Sequence, residues 1–504
     1  MTPRRFTAEP AAPARRKDIM DDVTWLDATG QAQLVRAGEI SARELVEHAI
    51  GRIERLNPEV NAFIHTSFEK ARTVAARGPT GPFAGVPFAV KDLFQQSEDD
   101  PYHYGTRFLK DLDWRAPADT WLVSKLRQAG FVLVGRTNTP EIGAWTTTEP
   151  DSYGPTRNPW DLTRSPGGSS GGSAVAVATG MVPAAHANDG GGSVRIPASA
   201  TGLVGLKPTR ARISLGPEIG EAWAGMTHES ALTRSVRDIA GILDAVGGMA
   251  PGDPYTAPPP TRPYAHEVGA PVGRLRVGVQ LDHPSRTLDP EVVAAVTATA
   301  GLLDELGHIV EVARPAALDE PPAEAQVLMP VFQHLDIVRW GRAIGRPLTA
   351  DDLDQDNWAL AGYGRDVSAV AYLDGLHALH AWCRRVAAWW NHDGDGTCGG
   401  RRPGYDLLVT PTLPRLPARL GELRPVPGRP LAGFLASGEY VSFTSPFNAT
   451  GQPAMSLPLH WSADGLPVGV QFVAAYGRED LLIRLATVLE QARPWADRHP
   501  ACAG

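Results

Sequence analysis

The feature that most restricts the fold of this 504-residue chain is a glycine- and serine-rich stretch embedded in apolar sequence. Residues 165–173 read SPGGSSGGS, and five small apolar residues follow directly at 174–178. A second cluster, DGGGS at 189–193, leads towards another apolar run, GLVGL at 202–206. A flexible Gly/Ser linker has no reason to alternate with core sequence in this way. Because glycine lets backbone approach other groups closely or adopt positive φ, the stretch predicts a site built within a folded core.

The rest of the chain alternates between helical and strand patterns. A capping box at Ser41–Glu44 begins a helix, which Asn57-Pro58 is expected to end. Residues 119–129 predict a helix that leads into a buried strand at Phe131–Val134, and the same order returns from 291 to 312. Repeated helix–strand units predict an α/β fold, with a large mixed and mostly parallel sheet sandwiched between helices.

One large domain is favoured over independent modules. Strand-like sequence resumes at 405–409 and 442–473, after Pro/Gly-rich stretches that would suit linkers or exposed loops. We expect residues 1–22 to form a flexible N-terminal tail, residues 23–495 the catalytic domain and residues 496–504 a C-terminal tail.

The composition narrows the classes of partner. The chain is 43% apolar and 21% charged, which is typical of a soluble globular protein, and its net charge of −8 argues against a nucleic-acid partner. Cys383, Cys398 and Cys502 imply neither a disulfide framework nor a metal site. No apolar run reaches the ~18 residues of a membrane helix, and the N-terminus lacks the apolar core of a secretory signal. A cytoplasmic protein without a membrane partner is expected.

Two general motifs are alternative interpretations of the glycine-rich stretch. A Walker loop needs Gly-Lys-Ser/Thr after its glycines, and this is absent. Gly167–Gly171 satisfies G-x-S-x-G, the nucleophile elbow of α/β-hydrolases. That mechanism also needs a later acid and base, for which Asp406 and His460 are the candidates. This alternative makes a histidine the essential base.

The order and spacing of several motifs resemble the amidase-signature family. Ser169 and Ser193 are twenty-four residues apart, as are the two serines of GGSSGG and D-x-G-G-S-[IV]-R-x-P in that family. The segment GVPFAVKD at 85–92 matches the one that carries the family's lysine. The resemblance covers about residues 23–495, with a signature core at about 80–210. Further matches lie at residues 137–141, 158–160, 205–209 and 447–454.

The resemblance implies a catalytic triad with Ser193 as nucleophile, Ser169 as proton relay and Lys91 as base. In this family the peptide bond before the relay serine is cis. A free lysine titrates near ~10.4, so Lys91 must be desolvated to supply a neutral amine. The apolar residues 87–90 before it are consistent with burial. From the residues alone, a buried ion pair of Lys91 with Asp92 or another acid is the competing interpretation.

The glycines before the nucleophile are the expected oxyanion hole, because residues without side chains leave their backbone accessible. Asp189 and Arg195 are interpreted as a structural ion pair that braces this loop, and His186 as a bystander. The chain has Ala187-Asn188 where many family members have Gly-Thr, so the loop that shapes the oxyanion hole is expected to differ. The expected donors are the backbone N–H groups of Gly190, Gly191, Gly192 and Ser193.

Substrate contacts are less defined by the motifs. The resemblance implies that residues 142–145 line the acyl pocket, with core packing as the alternative for Trp145. The stretch Met329–Trp340 is either a second wall of the pocket or a helix of the core. The hydroxyl of Ser170 is expected either to bond to the relay serine or to cap the following helix. The predicted substrate-binding residues are Gly143, Ala144, Trp145 and Ser170.

The resemblance therefore implies an amidohydrolase that forms a covalent acyl-enzyme and requires no metal or organic cofactor. Its expected substrate is a small-molecule amide or carbamate, whether linear, aryl or cyclic, with esters as a further option, and the expected assembly is a monomer or a homodimer. Within the family, the sequences of residues 186–193, 31–35 and 474–480 are most similar to those of cyclic-amide hydrolases that act on nylon oligomers. A subunit of a tRNA-dependent amidotransferase and a non-catalytic binding module are the other hypotheses; the second predicts a broken triad.

Overall fold

The computed structural model describes residues 23–390 and 404–504. The predicted N-terminal tail at 1–22 and Cys398 lie outside the described residues. Within them, eleven strands form one sheet in the spatial order β1-β3-β2-β4-β6-β5-β10-β11-β9-β7-β8. The strands are β1 (Phe63–Thr66), β2 (Pro87–Lys91), β3 (Val132–Thr137), β4 (Ala184–Asp189), β5 (Val204–Lys207), β6 (His228–Thr233), β7 (Arg276–Val279), β8 (Ile309–Val312), β9 (Leu407–Pro411), β10 (Ala454–Trp461) and β11 (Pro467–Ala474).

Helices cover both faces of this sheet and extend beyond it. In chain order they are α1 (Ala28–Ala37), α2 (Ala42–Val60), α3 (Phe68–Ala76), α4 (Arg107–Asp111), α5 (Trp121–Gln128), α6 (Gly171–Ala178), α7 (Arg195–Thr201), α8 (Val236–Val246), α9 (Pro290–Glu305), α10 (Leu328–Ile344), α11 (Gln355–Arg365), α12 (Ala369–Ala387), α13 (Ala432–Ser437), α14 (Ser445–Thr450) and α15 (Glu479–Ala492). No helix in the described part of the chain is long and apolar enough to cross a membrane.

The sheet is mixed, as predicted, but it is not mostly parallel. Parallel pairing joins β3, β2 and β4 near one end and β9, β7 and β8 at the other. The six remaining strand pairs within the described residues are antiparallel. The helix–strand repeats that predict parallel pairing occur only in the two end regions. In the middle, β10 and β11 are joined by a short turn at 462–466, which requires antiparallel strands.

The central strands are buried on both faces, which explains their continuous apolar sequence. In β2, Phe88 and Val90 join a core cluster with side chains of α5, α8, α9 and α15. Ala89, between them, faces a second cluster formed with α2 and α6. Two-sided packing fixes the register of β2, because a shift by one residue would exchange its two faces. The last residue of β2 is Lys91, so this packing also fixes the position of that side chain.

Helix α2 begins at the predicted capping box, in which Ser41 and Glu44 satisfy each other's backbone N–H groups. Its end at Asn57-Pro58 is predicted too early, because the helix continues to Val60 with Pro58 in its last turn. The left-handed backbone of Asn61 ends it (φ 53°), and the Asn57 side chain holds Phe63, the first residue of β1, through its backbone N–H and carbonyl.

The last residues of the chain pack on the domain rather than extending from it as a tail. Arg52 of α2 donates to the carbonyl of Ala503 at 2.9 Å, and the Cys502 thiol lies 3.4 Å from the carbonyl of Pro159. The His499 ring stacks on Trp25, with a centroid distance of 3.6 Å. Residues 496–504 are therefore part of the folded unit.

Candidate active site

Lys91 ends β2 with its side chain fully buried. Its Nζ donates to Ser169 Oγ at 2.7 Å and to Asn188 Oδ1 at 2.7 Å. The competing interpretation, an ion pair with Asp92 or another acid, is wrong: Lys91 pairs with no carboxylate among the described residues, and the Asp92 carboxylate pairs instead with Arg136 at 2.8 Å. The partners of the Lys91 amine are thus a hydroxyl and an amide oxygen, both neutral.

Burial without a carboxylate partner changes the basicity of this amine. Desolvation lowers the pKa of Lys91 to about 7, and the more distant charges of Glu229 and Asp189 oppose that shift without reversing it. A large fraction of the amine is therefore neutral near pH 7. A neutral amine can accept a proton, whereas an ammonium group cannot.

Ser169 lies just before α6 and is buried. The peptide bond between Gly168 and Ser169 is cis, as the family resemblance predicts. Gly168 is closely covered, because a Cβ at this position would lie 2.3 Å from the carbonyl oxygen of Thr147. The absence of a side chain at Gly168 lets the loop fit tightly under residue 147, and this fit orients the Ser169 hydroxyl towards Lys91.

Ser193 occupies the turn between β4 and α7 and is partly exposed. The turn contacts the loop that carries Ser169: a Cβ on Gly167 would lie 3.0 Å from Ile196 Cγ2, at the start of α7. β4 pairs directly with β2, the strand that ends at Lys91. The three predicted catalytic residues thus lie on adjoining segments, with the predicted nucleophile nearest to solvent.

The second glycine cluster is closely packed, but several of its backbone N–H groups are not used in hydrogen bonds within the described residues. Gly192 has φ +144°, and a Cβ there would lie 2.4 Å from Thr444 Oγ1. Thr444 also fixes the loop by donating to the carbonyl of Gly191 at 2.6 Å. The N–H groups of Gly191, Gly192 and Ser193 donate to no acceptor within the described residues. Adjacent unpaired N–H groups of this kind suit a developing oxyanion.

An ion pair braces the start of this loop. Arg195 pairs with Asp189 at 2.9 Å with both side chains fully buried, which confirms the predicted structural pair. Burial by itself raises the pKa of Asp189, but Arg195 and Asn448 outweigh this effect and hold it well below its usual value. Gly190 follows the pair and lies under the Trp223 ring, which a Cβ would approach to 2.8 Å.

The three residues predicted to bind substrate at 143–145 have different surroundings. Gly143 (φ +70°) packs against Leu93, whose Cδ2 would lie 2.3 Å from a Cβ at position 143. Ala144 is partly exposed. Trp145 is buried and donates from its indole N–H to Asp354 Oδ2 at 3.3 Å, so its polar edge is directed at the cap of α11.

Asn188 is the site residue that the sequence marked only as a departure from the family pattern. Its Oδ1 accepts from Lys91, its Nδ2 donates to the carbonyl of Leu93 at 3.2 Å, and its own carbonyl accepts from the Ser170 hydroxyl at 3.3 Å. Ser170 makes no capping bond to α6, so that predicted role is wrong. The unusual residue at 188 was the signal that could have identified this contact.

The histidines considered as bases have other partners. His186 Nε2 lies 2.6 Å from the Glu229 carboxylate, and its Nδ1 accepts from the backbone N–H of Lys91 at 3.3 Å. His460, the candidate for an α/β-hydrolase mechanism, lies on β10 and contacts Glu291 of α9 at 3.3 Å. These contacts favour lysine over histidine as the base.

Comparisons with known proteins show the family of this chain. The Amidase family matches residues 44–483. The 6-aminohexanoate-cyclic-dimer hydrolase of Paenarthrobacter ureafaciens is 46% identical over 487 residues, which cover 94% of this chain and 96% of that relative. The putative amidase AmiC of Mycobacterium tuberculosis is 39% identical over 492 residues, covering 95% of this chain and 97% of that protein.

Solved structures show the same relationship. A structure of 6-aminohexanoate cyclic dimer hydrolase matches with a TM-score of 0.91 at 45% identity, covering 95% of this chain and 99% of the other. A bacterial aryl acylamidase of the amidase-signature family matches with a TM-score of 0.83 at 27% identity, covering 95% and 99%. Similarity in both sequence and fold over nearly the whole length shows that this chain belongs to the amidase family of enzymes, which hydrolyse the carbon–nitrogen bonds of amides.

Proposed function

We propose that the chain cleaves amides through a covalent acyl-enzyme on Ser193, with Ser169 as relay and Lys91 as base. The observation that carries this proposal is the Lys91 amine, which is fully buried and lies 2.7 Å from Ser169 Oγ. A serine hydroxyl is a weak nucleophile unless a base removes its proton during attack. The neutral form of Lys91, available near pH 7, supplies that base.

In the acylation step, Ser193 Oγ attacks the carbonyl carbon of the substrate, and its proton passes through Ser169 to Lys91. The negative charge that develops on the carbonyl oxygen is stabilised by the backbone N–H groups of Gly191, Gly192 and Ser193, which have no acceptor within the described residues. One such donor typically contributes about 10²–10³ in rate. When the carbon–nitrogen bond breaks, the same proton returns through Ser169 to the leaving amine.

In the deacylation step, water takes the place of the amine. Lys91, through Ser169, removes a proton from the attacking water, the carbon–Oγ bond breaks, and the proton returns to Ser193. These steps need no metal and no organic cofactor. A cytoplasmic location and a monomeric or homodimeric state stay predictions from the sequence.

We infer that cyclic amides are among the substrates. Two relatives that are 46% identical over 94% of this chain are named 6-aminohexanoate-cyclic-dimer hydrolase, one from Paenarthrobacter ureafaciens and one from Pseudomonas sp. (strain NK87). A solved structure of the same enzyme in complex with its substrate matches with a TM-score of 0.91. The proposed substrates are ring amides of ω-amino acids, with linear amides of the same acids as the open-chain counterparts.

The proposal is tested by comparing wild-type protein with Ser193→Ala and Lys91→Met on the cyclic dimer of 6-aminohexanoate and on a 4-nitroanilide. Each substitution is expected to reduce kcat/KM by at least about 10³, because the nucleophile and its base act as one unit. The matched control is His460→Ala, which removes the base of the rival mechanism and is expected to keep wild-type rates.

The opposite pattern, in which Lys91→Met is active and His460→Ala is not, would show that the histidine-dependent elbow at Gly167–Gly171 is the correct interpretation. If the wild-type protein cleaves the anilide but not the cyclic dimer, the assignment of the triad stands and the proposed cyclic-amide substrate is rejected.

A further inference from the structure

A cavity of about 240 Å³ lies beside α10, and aromatic rings form much of its wall. Trp340, from the stretch considered as a second pocket wall, is central to it. Its ring centroid lies 5.7 Å from that of Tyr104, 6.0 Å from that of Tyr102 and 5.8 Å from that of Trp114. Phe94 also lines the cavity and meets Tyr104 edge-on at 5.8 Å. The rings surround a space large enough for part of a small organic molecule.

One wall of this cavity is linked to the catalytic residues through the chain segment at 93–94. Phe94 follows Leu93, whose carbonyl accepts a hydrogen bond from Asn188. Asn188 is also the amide partner of Lys91, the last residue of β2. A single hydrogen-bonded segment therefore connects the aromatic wall to the catalytic amine.

A second part of the cavity wall is linked by sequence to a residue that covers the glycine cluster before Ser193. Glu218 and Ile219 line the cavity from the chain segment that leads to Trp223. Trp223 in turn covers Gly190, at the start of the glycine cluster before Ser193. Two independent chain segments, at 93–94 and 218–223, therefore link walls of the cavity to residues that contact the proposed site.

The charged groups on the cavity wall are Asp336, Glu218 and Arg339. Asp336, half-buried on α10, has the Tyr104 hydroxyl as a distant hydrogen-bond partner at 3.5 Å. It forms no ion pair with any residue that the structure describes, although Arg339 is close enough to lower its pKa. Burial outweighs this effect and raises the pKa of Asp336 to about 7, so the carboxylate is mostly ionised at pH 8.

Aromatic faces together with a carboxylate that forms no ion pair within the described residues are the chemistry that binds an organic ammonium group. The ring faces attract a cation through their quadrupoles, and this attraction strengthens where water is excluded. The carboxylate supplies the opposite charge and hydrogen-bond acceptors. A neutral or anionic group at this position would supply no positive charge to Asp336.

The proposed ring-opening reaction creates such a group. When Ser193 attacks a cyclic amide, the carbon–nitrogen bond breaks while the nitrogen stays attached to the acyl chain. The nitrogen receives the proton that came from the Ser193 hydroxyl. It then takes a second proton from solvent, because an alkylamine with a pKa near ~10.4 is protonated at neutral pH. The acyl-enzyme therefore ends in an ammonium group.

We propose that the aromatic cavity with Asp336 binds the ammonium end of an ω-aminoacyl chain attached to Ser193. This inference rests on the proposed function and names the substrate class of that site. Binding the freed ammonium group holds it away from the acyl ester and so opposes closure of the ring. The same contact selects open-chain substrates that carry an ω-ammonium group.

The test uses pairs of 4-nitroanilides that differ only at the chain end. The ω-aminoacyl anilides of four, six and eight carbons are compared with the alkanoyl anilides that carry a methyl group in place of the ammonium group. At pH 8, the ratio of kcat/KM between the members of the preferred pair is expected to fall about tenfold in Asp336→Asn. The matched control is Asp304→Asn on the exposed end of α9, which is expected to keep the wild-type ratio.

A second measurement uses wild-type protein alone, so that a folding defect in the variant cannot decide the outcome. Hexylammonium is expected to inhibit hydrolysis of the alkanoyl anilide at least about tenfold more strongly than hexanol. Equal inhibition, or an unchanged ratio in a folded Asp336→Asn protein, overturns the ammonium site while leaving the triad intact. Failure of the wild-type protein to cleave any anilide or the cyclic dimer overturns the proposed function itself, and this inference with it.

Discussion

At the scale of single residues, the chemistry of this site depends on one amine. Lys91 is buried among groups that do not compensate a positive charge: a serine hydroxyl, an asparagine oxygen and the backbone around them. Desolvation is the largest contribution to its lowered pKa, and the charge of Glu229 is the largest one opposing it. The balance between these two effects determines the pH at which the base becomes available.

The pH dependence of kcat/KM follows from that balance. Lys91 must be neutral to accept a proton, and the neutral fraction grows as pH rises through its pKa of about 7. Activity on an uncharged amide is therefore expected to rise between about pH 6 and 8 and then to level off. Glu229→Gln removes a charge that raises this pKa, so the midpoint of the rise is expected to move to lower pH.

The measurement is the pH profile of kcat/KM for the two proteins on the same uncharged anilide. Glutamine at position 229 can still accept a hydrogen bond from His186, so the change isolates the charge. A midpoint that moves to higher pH, or does not move, would contradict this account of the lysine.

At the scale of elements, the loop between β4 and α7 is held in one conformation by close packing. Gly192, with φ +144°, has room for no side chain, since a Cβ would lie 2.4 Å from Thr444 Oγ1. Its neighbour Gly191 has more space, because the nearest atom to a Cβ there would be Val441 Cγ1 at 3.7 Å. These adjacent glycines provide a matched comparison.

Gly192→Ala is expected to lower the free energy of unfolding by about 1–3 kcal/mol, because both the backbone conformation and the contact with Thr444 are violated. Amide hydrolysis is expected to fall with it, since the oxyanion donors move. Gly191→Ala is expected to change stability little. Urea unfolding of both variants provides the comparison, and equal stabilities would refute the packing argument.

The helices and strands also show which parts of the fold could be predicted from the sequence. Helices α5 and α9 and the strands that follow them are encoded by local periodicity and end signals, and they lie where expected. The antiparallel centre of the sheet was missed because it depends on distant pairing, such as β5 with β10, about which local patterns carry no information. Likewise, motif spacing predicts that Lys91 and Ser169 belong to the site. It does not predict the contact between Lys91 and Asn188, because these residues are 97 positions apart in the sequence.

At the scale of the whole molecule, buried ion pairs join distant parts of the chain. Arg212, in the segment after β5, pairs with Glu479 at the start of α15 at 3.0 Å, and both side chains are almost fully buried. Glu479 also accepts from the backbone N–H of Thr209 at 2.9 Å. This pair connects the glycine-rich half of the chain to its C-terminal helix.

Arg212→Met leaves the Glu479 carboxylate buried without its cation and is expected to lower the free energy of unfolding by about 3–5 kcal/mol. Arg478→Met is the matched control, because the neighbouring pair of Arg478 and Asp480 at 2.8 Å is half-exposed and is expected to contribute little. The urea concentration at the midpoint of unfolding is measured for both variants. Similar losses in the two variants would show that the buried pair does not stabilise the assembled fold.

The central claim is that Ser193, rather than Ser169 or Ser170, carries the acyl group. The most direct measurement is to mix the enzyme with 4-nitrophenyl hexanoate at pH 8, quench with acid and map the modified peptide by mass spectrometry. The account predicts a hexanoyl group on the peptide that contains Ser193, and its loss in Ser193→Ala. A hexanoyl group on Ser169 or Ser170 in the wild-type protein would contradict the account.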